Sequence, residues 1–179
     1  MRIITGKARG AALRTLEGND TRPTSERAKE AIFSMLQFEI EGRAVLDLFG
    51  GSGQLGLEAL SRGASRAVIA DASAAAVEII ERNAKTTKLE ENCRIVRGDC
   101  FDVLRRLSGE KFDIVFLDPP YASGLIPGVM AKLLPLLKPT SKIIVESGAE
   151  TPEIDGYKIK KRAKYGIAHV AVFEPDEMA

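Results

Sequence analysis

From Arg43 onward, short apolar runs alternate with segments of helical spacing. "AVLDLF" opens into "GGSGQLGLEALSRGA", and "RAVIAD" precedes "SAAAVEIIERNAKTT". "CRIVRGD" precedes "FDVLRRL", "FDIVFLD" precedes a helix near Pro127–Leu137 with a break expected at Pro135, and "KIIVES" closes the series. Runs this short and this apolar are strands buried on both faces, and their alternation with helices makes the sheet parallel. The end of the chain departs from that pattern. "YKIKKRAK" and "IAHVAVFE" flank Tyr165-Gly166, a hairpin signal, so one strand must run antiparallel. "IAHVAVF" is apolar enough for a central place in the sheet. The expected fold is α/β and Rossmann-like, with a seven-stranded, mostly parallel sheet and a C-terminal antiparallel hairpin. The usual dinucleotide dehydrogenase lacks such a hairpin.

Before Arg43 the organisation is different. Residues 1–20 show short polar–apolar alternations with Gly6 and Gly10, which suggest a small β-hairpin or an extended arm. Residues 21–179 would form the main domain. "TRPTSERAKEAIFSMLQF" starts a helix, with Thr24 or Ser25 as cap and Ala28, Ile32, Met35 and Leu36 on one buried face. The length of 179 residues, 45% of them hydrophobic, is enough for one core and excludes a disordered chain.

A net charge of +1 does not by itself call for a nucleic-acid partner. Local charge is more informative. Arg2, Lys7, Arg9 and Arg14 occur without an acid among them, and Lys158, Lys160, Lys161, Arg162 and Lys164 form a second basic run. Either run alone reads as a solvated face. Cys93 and Cys100 lack metal-site spacing, and His169 is the sole histidine, sitting within an apolar run, so no metal is expected. Free thiols, no leader-like apolar start and no spanning segment suggest a cytoplasmic protein, expected to be a monomer.

"DLFGGSGQLG" holds G-x-G-x-x-G at Gly51, Gly53 and Gly56, after an expected strand and at a helix start. That context gives the motif meaning, although a purely structural turn uses the same glycines. Asp71 closes the next strand, where an acid can take both hydroxyls of a ribose. Asp47 stands beside the glycine turn. It would repel a pyrophosphate but suit a cationic ligand, and S-adenosylmethionine has the required sulfonium, ammonium, ribose and adenine. Asp99, in "RGDC", could accept from an adenine amine. Each acid alone could merely cap the next helix. Four of them, Asp47, Asp71, Asp99 and Asp118, at the same ends of successive strands make capping an unattractive account of the set.

Asp118 opens "DPPY". An exocyclic amine on a base is a poor nucleophile because its lone pair is delocalised. The Asp118 carboxylate and the Pro119 carbonyl can accept from its N–H groups, Pro119 and Pro120 hold those acceptors rigid, and Tyr121 offers a face for a flipped base. A rigid turn would account for the prolines but not for the acid and the ring together.

Here the chain resembles a known family. "DPPY" with "VLDLFGGSGQLGLEAL" is similar to class I S-adenosylmethionine-dependent amino-methyltransferases. "MRIITGKARGAALRT…TRPTSERAKEAIFSML" narrows the resemblance to the bacterial 16S rRNA (guanine-966-N2) methyltransferases, over Met1 to about Phe173. The resemblance implies methylation of a guanine N2 amine in 16S rRNA. It assigns Asp47, Phe49, Gly51, Ser52 and Gly53 to the methionine and ribose parts of the cofactor. Asp71 with Ala72 falls to the ribose, and Asp99 with Cys100 to the adenine side. Asp118, Pro119, Pro120 and Tyr121 fall to catalysis. Arg2, Lys7, Arg9 and Arg14 are expected to meet RNA, with Arg22, Thr24 and Arg27 near cofactor or RNA. Adenine N6 in DNA is the nearest rival acceptor, although 179 residues leave little room for a DNA-recognition domain. A glutamine-amide methyltransferase would normally carry Asn where Asp118 stands. The terminal hairpin and "DPPY" argue against a nucleotide-binding dehydrogenase, and a non-catalytic RNA-binding module would not need both a cofactor crevice and an amine clamp.

Overall fold

The computed structural model describes residues 1–16 and 26–176. Seven strands form one sheet in the order β3-β2-β1-β4-β5-β7-β6. β1 (Ala44–Asp47), β2 (Arg66–Asp71), β3 (Cys93–Arg97), β4 (Phe112–Leu117) and β5 (Leu137–Ser147) run parallel. β7 (Ala168–Pro175) is antiparallel to both β5 and β6 (Tyr157–Tyr165). The apolar β7 is interior and the lysine-rich β6 is the edge, where charge discourages pairing with another chain. The hairpin turn is Gly166-Ile167, one residue beyond the expected Tyr165-Gly166, because Tyr165 pairs with Ala168 and packs on the core.

Helices cover both faces. α1 (Glu26–Met35), α2 (Gln54–Ser61) and α3 (Ala74–Thr87) bury Phe33, Leu57 and Ile80 with Val45, Ile69, Ile114 and Ile144. α4 (Cys100–Arg106) and α5 (Ile126–Leu133) bury Val103, Val129 and Met130 with Leu46, Val68, Val115 and Val145. Successive strand residues face opposite layers, which is why nearly every position of the central strands is apolar. Each fully buried aliphatic side chain contributes roughly 1.5–3 kcal/mol. α5 ends at Leu133 and gives way to a 3-10 turn over Leu134–Leu136, so the break falls at Pro135 as expected. No helix among the described residues is long and apolar enough to cross a membrane.

The first fourteen residues form a tight hairpin closed by an antiparallel bridge between Arg2 and Ala12. It lies on α2 with Ile3 and Leu13 buried. The buried Glu58 carboxylate of α2 accepts the N–H groups of Ile4 (2.8 Å) and Thr5 (3.0 Å). It also pairs with Lys29 (3.0 Å) and Arg62 (2.8 Å). Lys29 in turn donates to the Arg2 carbonyl at 3.0 Å. Burial lowers the Lys29 pKa, and Glu58 opposes that shift. Thus one carboxylate holds the hairpin, α1 and α2 together.

Candidate functional site

Parallel strands bring their carboxyl ends to one side of the sheet, and the loops that follow them line a cleft of about 1180 Å³. After β1 the chain turns through Gly51 (φ 56°) and Gly53 (φ 79°), left-handed conformations that a side chain would strain. The Gly51 N–H donates to Asp71 Oδ2 at 2.9 Å, and the Gly53 N–H to the Gly50 carbonyl at 2.7 Å. Asn83 of α3, buried, supports this turn from behind. Its Nδ2 donates to the carbonyls of Ser52 (2.8 Å) and Arg14 (2.9 Å), and its Oδ1 accepts the Arg14 N–H at 2.8 Å. The hairpin exit and the glycine turn therefore share one amide.

Asp47 is 1% exposed. Its Oδ2 accepts the Gly56 N–H at 3.0 Å, while Oδ1 has no hydrogen-bond partner among the described residues. Burial, reinforced by the nearby Asp71 and opposed by the Gly56 and Phe49 N–H groups, pushes its pKa up to about 7. Asp71 accepts from Gly51 and, through Oδ1, from the Ser73 N–H at 2.8 Å. Asp99 caps α4, accepting the N–H groups of Phe101 (2.9 Å) and Asp102 (3.1 Å). Of these acids only Asp99 is a helix cap; Asp47 holds an N–H of α2 and Asp71 those of Gly51 and Ser73. A carboxylate has about four acceptor positions, so the same acids retain capacity toward a ligand.

Asp118 follows β4 directly and lines the cleft with Pro119, Pro120 and Tyr121. The Tyr121 hydroxyl donates to Glu146 Oε1 at 3.3 Å. Its ring lies against Gly148, where an added Cβ would come within 2.7 Å of the ring. The proline loop also walls a smaller cavity of about 170 Å³, lined on its far side by Ser147 and Thr151.

Asp47, Phe49, Gly51, Ser52, Asp71, Ala72, Asp99, Cys100 and Asp118 to Tyr121 all line the same cleft. Gly53 does not: it caps α2 and packs toward Leu57 and Ile80. Arg2, Lys7, Arg9 and Arg14 are exposed on the hairpin and Arg27 on α1, outside the cleft lining. Arg22 and Thr24 lie outside the described residues. Thr15, Leu16, Gln54 and Phe101 line the cleft without having been anticipated. Phe101 had a signal, an aromatic residue just after a strand-end acid. Gln54, with a buried Oε1 that has no partner among the described residues, looked like an ordinary helix residue.

The strand order and the antiparallel β7 define a Rossmann-like fold of the class I methyltransferase type rather than the all-parallel dinucleotide order. The chain belongs to the conserved hypothetical protein 95 family, whose model matches residues 1–174. It is 33% identical to YlbH of Bacillus subtilis, over 97% of this chain and 98% of that one. It is 32% identical to the ribosomal RNA small subunit methyltransferase D of Haemophilus influenzae, over 97% of this chain and 93% of that one. Among solved structures, yhhF of Escherichia coli is 31% identical, with a TM-score of 0.86 and 98% of each chain covered.

Proposed function

We propose that this protein transfers a methyl group from S-adenosylmethionine to the exocyclic N2 amine of a guanine in 16S rRNA. One observation carries the reading: the acids at the carboxyl ends of β1, β2 and β3 line the same space as the Asp118–Tyr121 loop. A cofactor crevice and an amine clamp thus share one volume. The similarity to a small-subunit rRNA methyltransferase along almost the whole chain supports the choice of rRNA.

The residues fit the cofactor. Asp47 Oδ1 is a buried acceptor with no donor among the described residues, suited to a cation. Asp71 has acceptor capacity for ribose hydroxyls, and Asp99 and Phe101 border the region left for the base. When bound, the cofactor supplies an electrophilic methyl on sulfur. The chain's own part is to place the acceptor amine. Asp118 and the Pro119 carbonyl accept its N–H groups and favour the positive charge that develops on nitrogen as the methyl arrives. The amine proton then leaves toward the carboxylate and solvent. Tyr121, fixed by Glu146 and Gly148, stacks the extruded base. The exposed Arg2, Lys7, Arg9 and Arg14 would meet phosphates, and the protein would act as a monomer in the cytoplasm.

The test is incubation with labelled S-adenosylmethionine and either unmethylated small subunits or free 16S rRNA, followed by nucleoside digestion and base mapping. Label in N2-methylguanine at one position is expected. Label in N6-methyladenine, or none in either RNA, would overturn the reading. Asp118→Ala should lower the single-turnover rate by on the order of a hundredfold while cofactor affinity holds, as for loss of a preorganised charge-stabilising group.

A further inference from the structure

The second basic run lies on β6, and its charges are not used uniformly. Lys158 pairs with Asp176 (3.2 Å), Lys160 with Glu174 (3.6 Å) and Arg162 with Glu150 (3.2 Å). Lys161 and Lys164 are exposed and have no acidic partner among the described residues. The unmatched charge therefore shifts toward the β6–β7 turn.

Sheet register shows where that turn lies. β6 is antiparallel to β7, which is antiparallel to β5, so β6 ends on the same side as β4 and β5. Leu117 of β4 pairs with Val145. Two residues further along, Ser147 pairs with His169, and His169 pairs with Lys164. Lys164 thus stands at the level of Pro119, three strands away, or about 14 Å at the usual strand spacing. Lys161 and Lys164, three residues apart on one strand, project from opposite faces and make the sheet edge a basic ridge. Ile167, 55% exposed in the turn, adds an apolar tip.

We propose that this ridge, Lys161 and Lys164 with the Ile167 tip, is a second RNA-binding surface, which holds the phosphate backbone on the acceptor side of the Asp118–Tyr121 loop. It rests on the rRNA reading above and extends it. The cofactor acids occupy the β1–β3 half of the cleft, so the target strand must leave across the β5–β7–β6 half. There Lys161 and Lys164 offer exposed cations with no acidic partner among the described residues. Lysines on an edge strand can instead serve only to prevent edge pairing, and the experiment separates the two roles.

Lys161→Gln/Lys164→Gln is compared with Lys158→Gln/Lys160→Gln, a control pair on the same strand whose charges are already matched. Binding to transcribed 16S rRNA and to unmethylated small subunits is measured across a salt series, with sedimentation of each variant alone. The ridge pair should weaken binding roughly tenfold and reduce the salt slope by about 1.5, the loss expected for two phosphate contacts. It should raise KM for RNA with little change in kcat, and leave cofactor affinity unchanged. The control pair should stay within about twofold of wild type. Equal effects of the two pairs, an unchanged slope, self-association of the ridge variant with normal RNA affinity, or a wild-type protein that binds neither RNA would each overturn the proposal. Failure of the rRNA reading is seen separately, in the base mapping of the wild-type protein.

Discussion

Asp47 ties the proposed cofactor site to stability. Burial pushes its pKa from the ordinary carboxylate value of 3.8 up to about 7. Between those values the folded protein keeps a proton that the unfolded chain releases. Stability should therefore fall as pH rises from about 4 to about 7 and then level off. Asp47→Asn should flatten that decline, as read from denaturant midpoints across pH. A cationic ligand prefers the ionised carboxylate, so S-adenosylmethionine affinity should rise through pH 7 with proton release. Calorimetry in buffers of different ionisation enthalpy would detect this, and affinity independent of pH would count against Asp47 as the cation's partner. Gly148 tests the other end of the site. Gly148→Ala places a methyl 2.7 Å from the Tyr121 ring, so the ring must move. Methyl transfer should drop by at least tenfold with cofactor affinity kept, a loss of about 1.4 kcal/mol in base stacking. Tyr121→Phe keeps the ring but loses the Glu146 hydrogen bond, and should fall between Gly148→Ala and wild type.

The strands and helices were largely legible in the sequence because burial on both faces forces apolar runs, and each run ended in a readable acid or glycine. The site was legible for the same reason: strand ends in a parallel sheet converge, so Asp47, Asp71, Asp99 and Asp118 had to meet. The supports behind the site were not legible. Asn83, Gln54 and Lys29 are polar residues on helices, and nothing in their spacing reveals that each is buried. Their roles depend on long-range partners, such as Arg14 for Asn83 and Arg2 for Lys29. The N-terminal hairpin is the sharpest case: its alternations and glycines suggested a small hairpin or arm, but nothing pointed to the hidden carboxylate that holds it. Glu58→Ala would leave Lys29 buried without its acid and free the Ile4 and Thr5 N–H groups. A loss of about 3–5 kcal/mol is expected, with fast hydrogen exchange appearing first at residues 4 and 5. Glu58→Gln should cost less, since an amide oxygen still accepts.

At the scale of the whole molecule, a net charge of +1 hides an uneven distribution. Exposed cations stand on the hairpin and on the outer strand, outside an acid-lined cleft. Deleting residues 1–14 would uncover core as well as remove charge, so charge substitution is the cleaner test. Arg2→Gln, Lys7→Gln, Arg9→Gln and Arg14→Gln combined should retain the melting temperature within a few degrees while lowering the salt slope of RNA binding by up to about 3. An unchanged slope would confine the RNA footprint to other surfaces. The hairpin also sets an order of events in time. Ile4 bonds a residue 54 positions later, and Arg14 one 69 positions later. During synthesis the hairpin is thus made well before the helices that it closes upon. Until α2 and α3 have emerged, it is an exposed pair of short apolar–basic strands with nothing to close upon. The newborn chain therefore passes through a stage, a few seconds long at ordinary synthesis rates, when the unclosed hairpin is open to capture by chaperones or by nearby RNA.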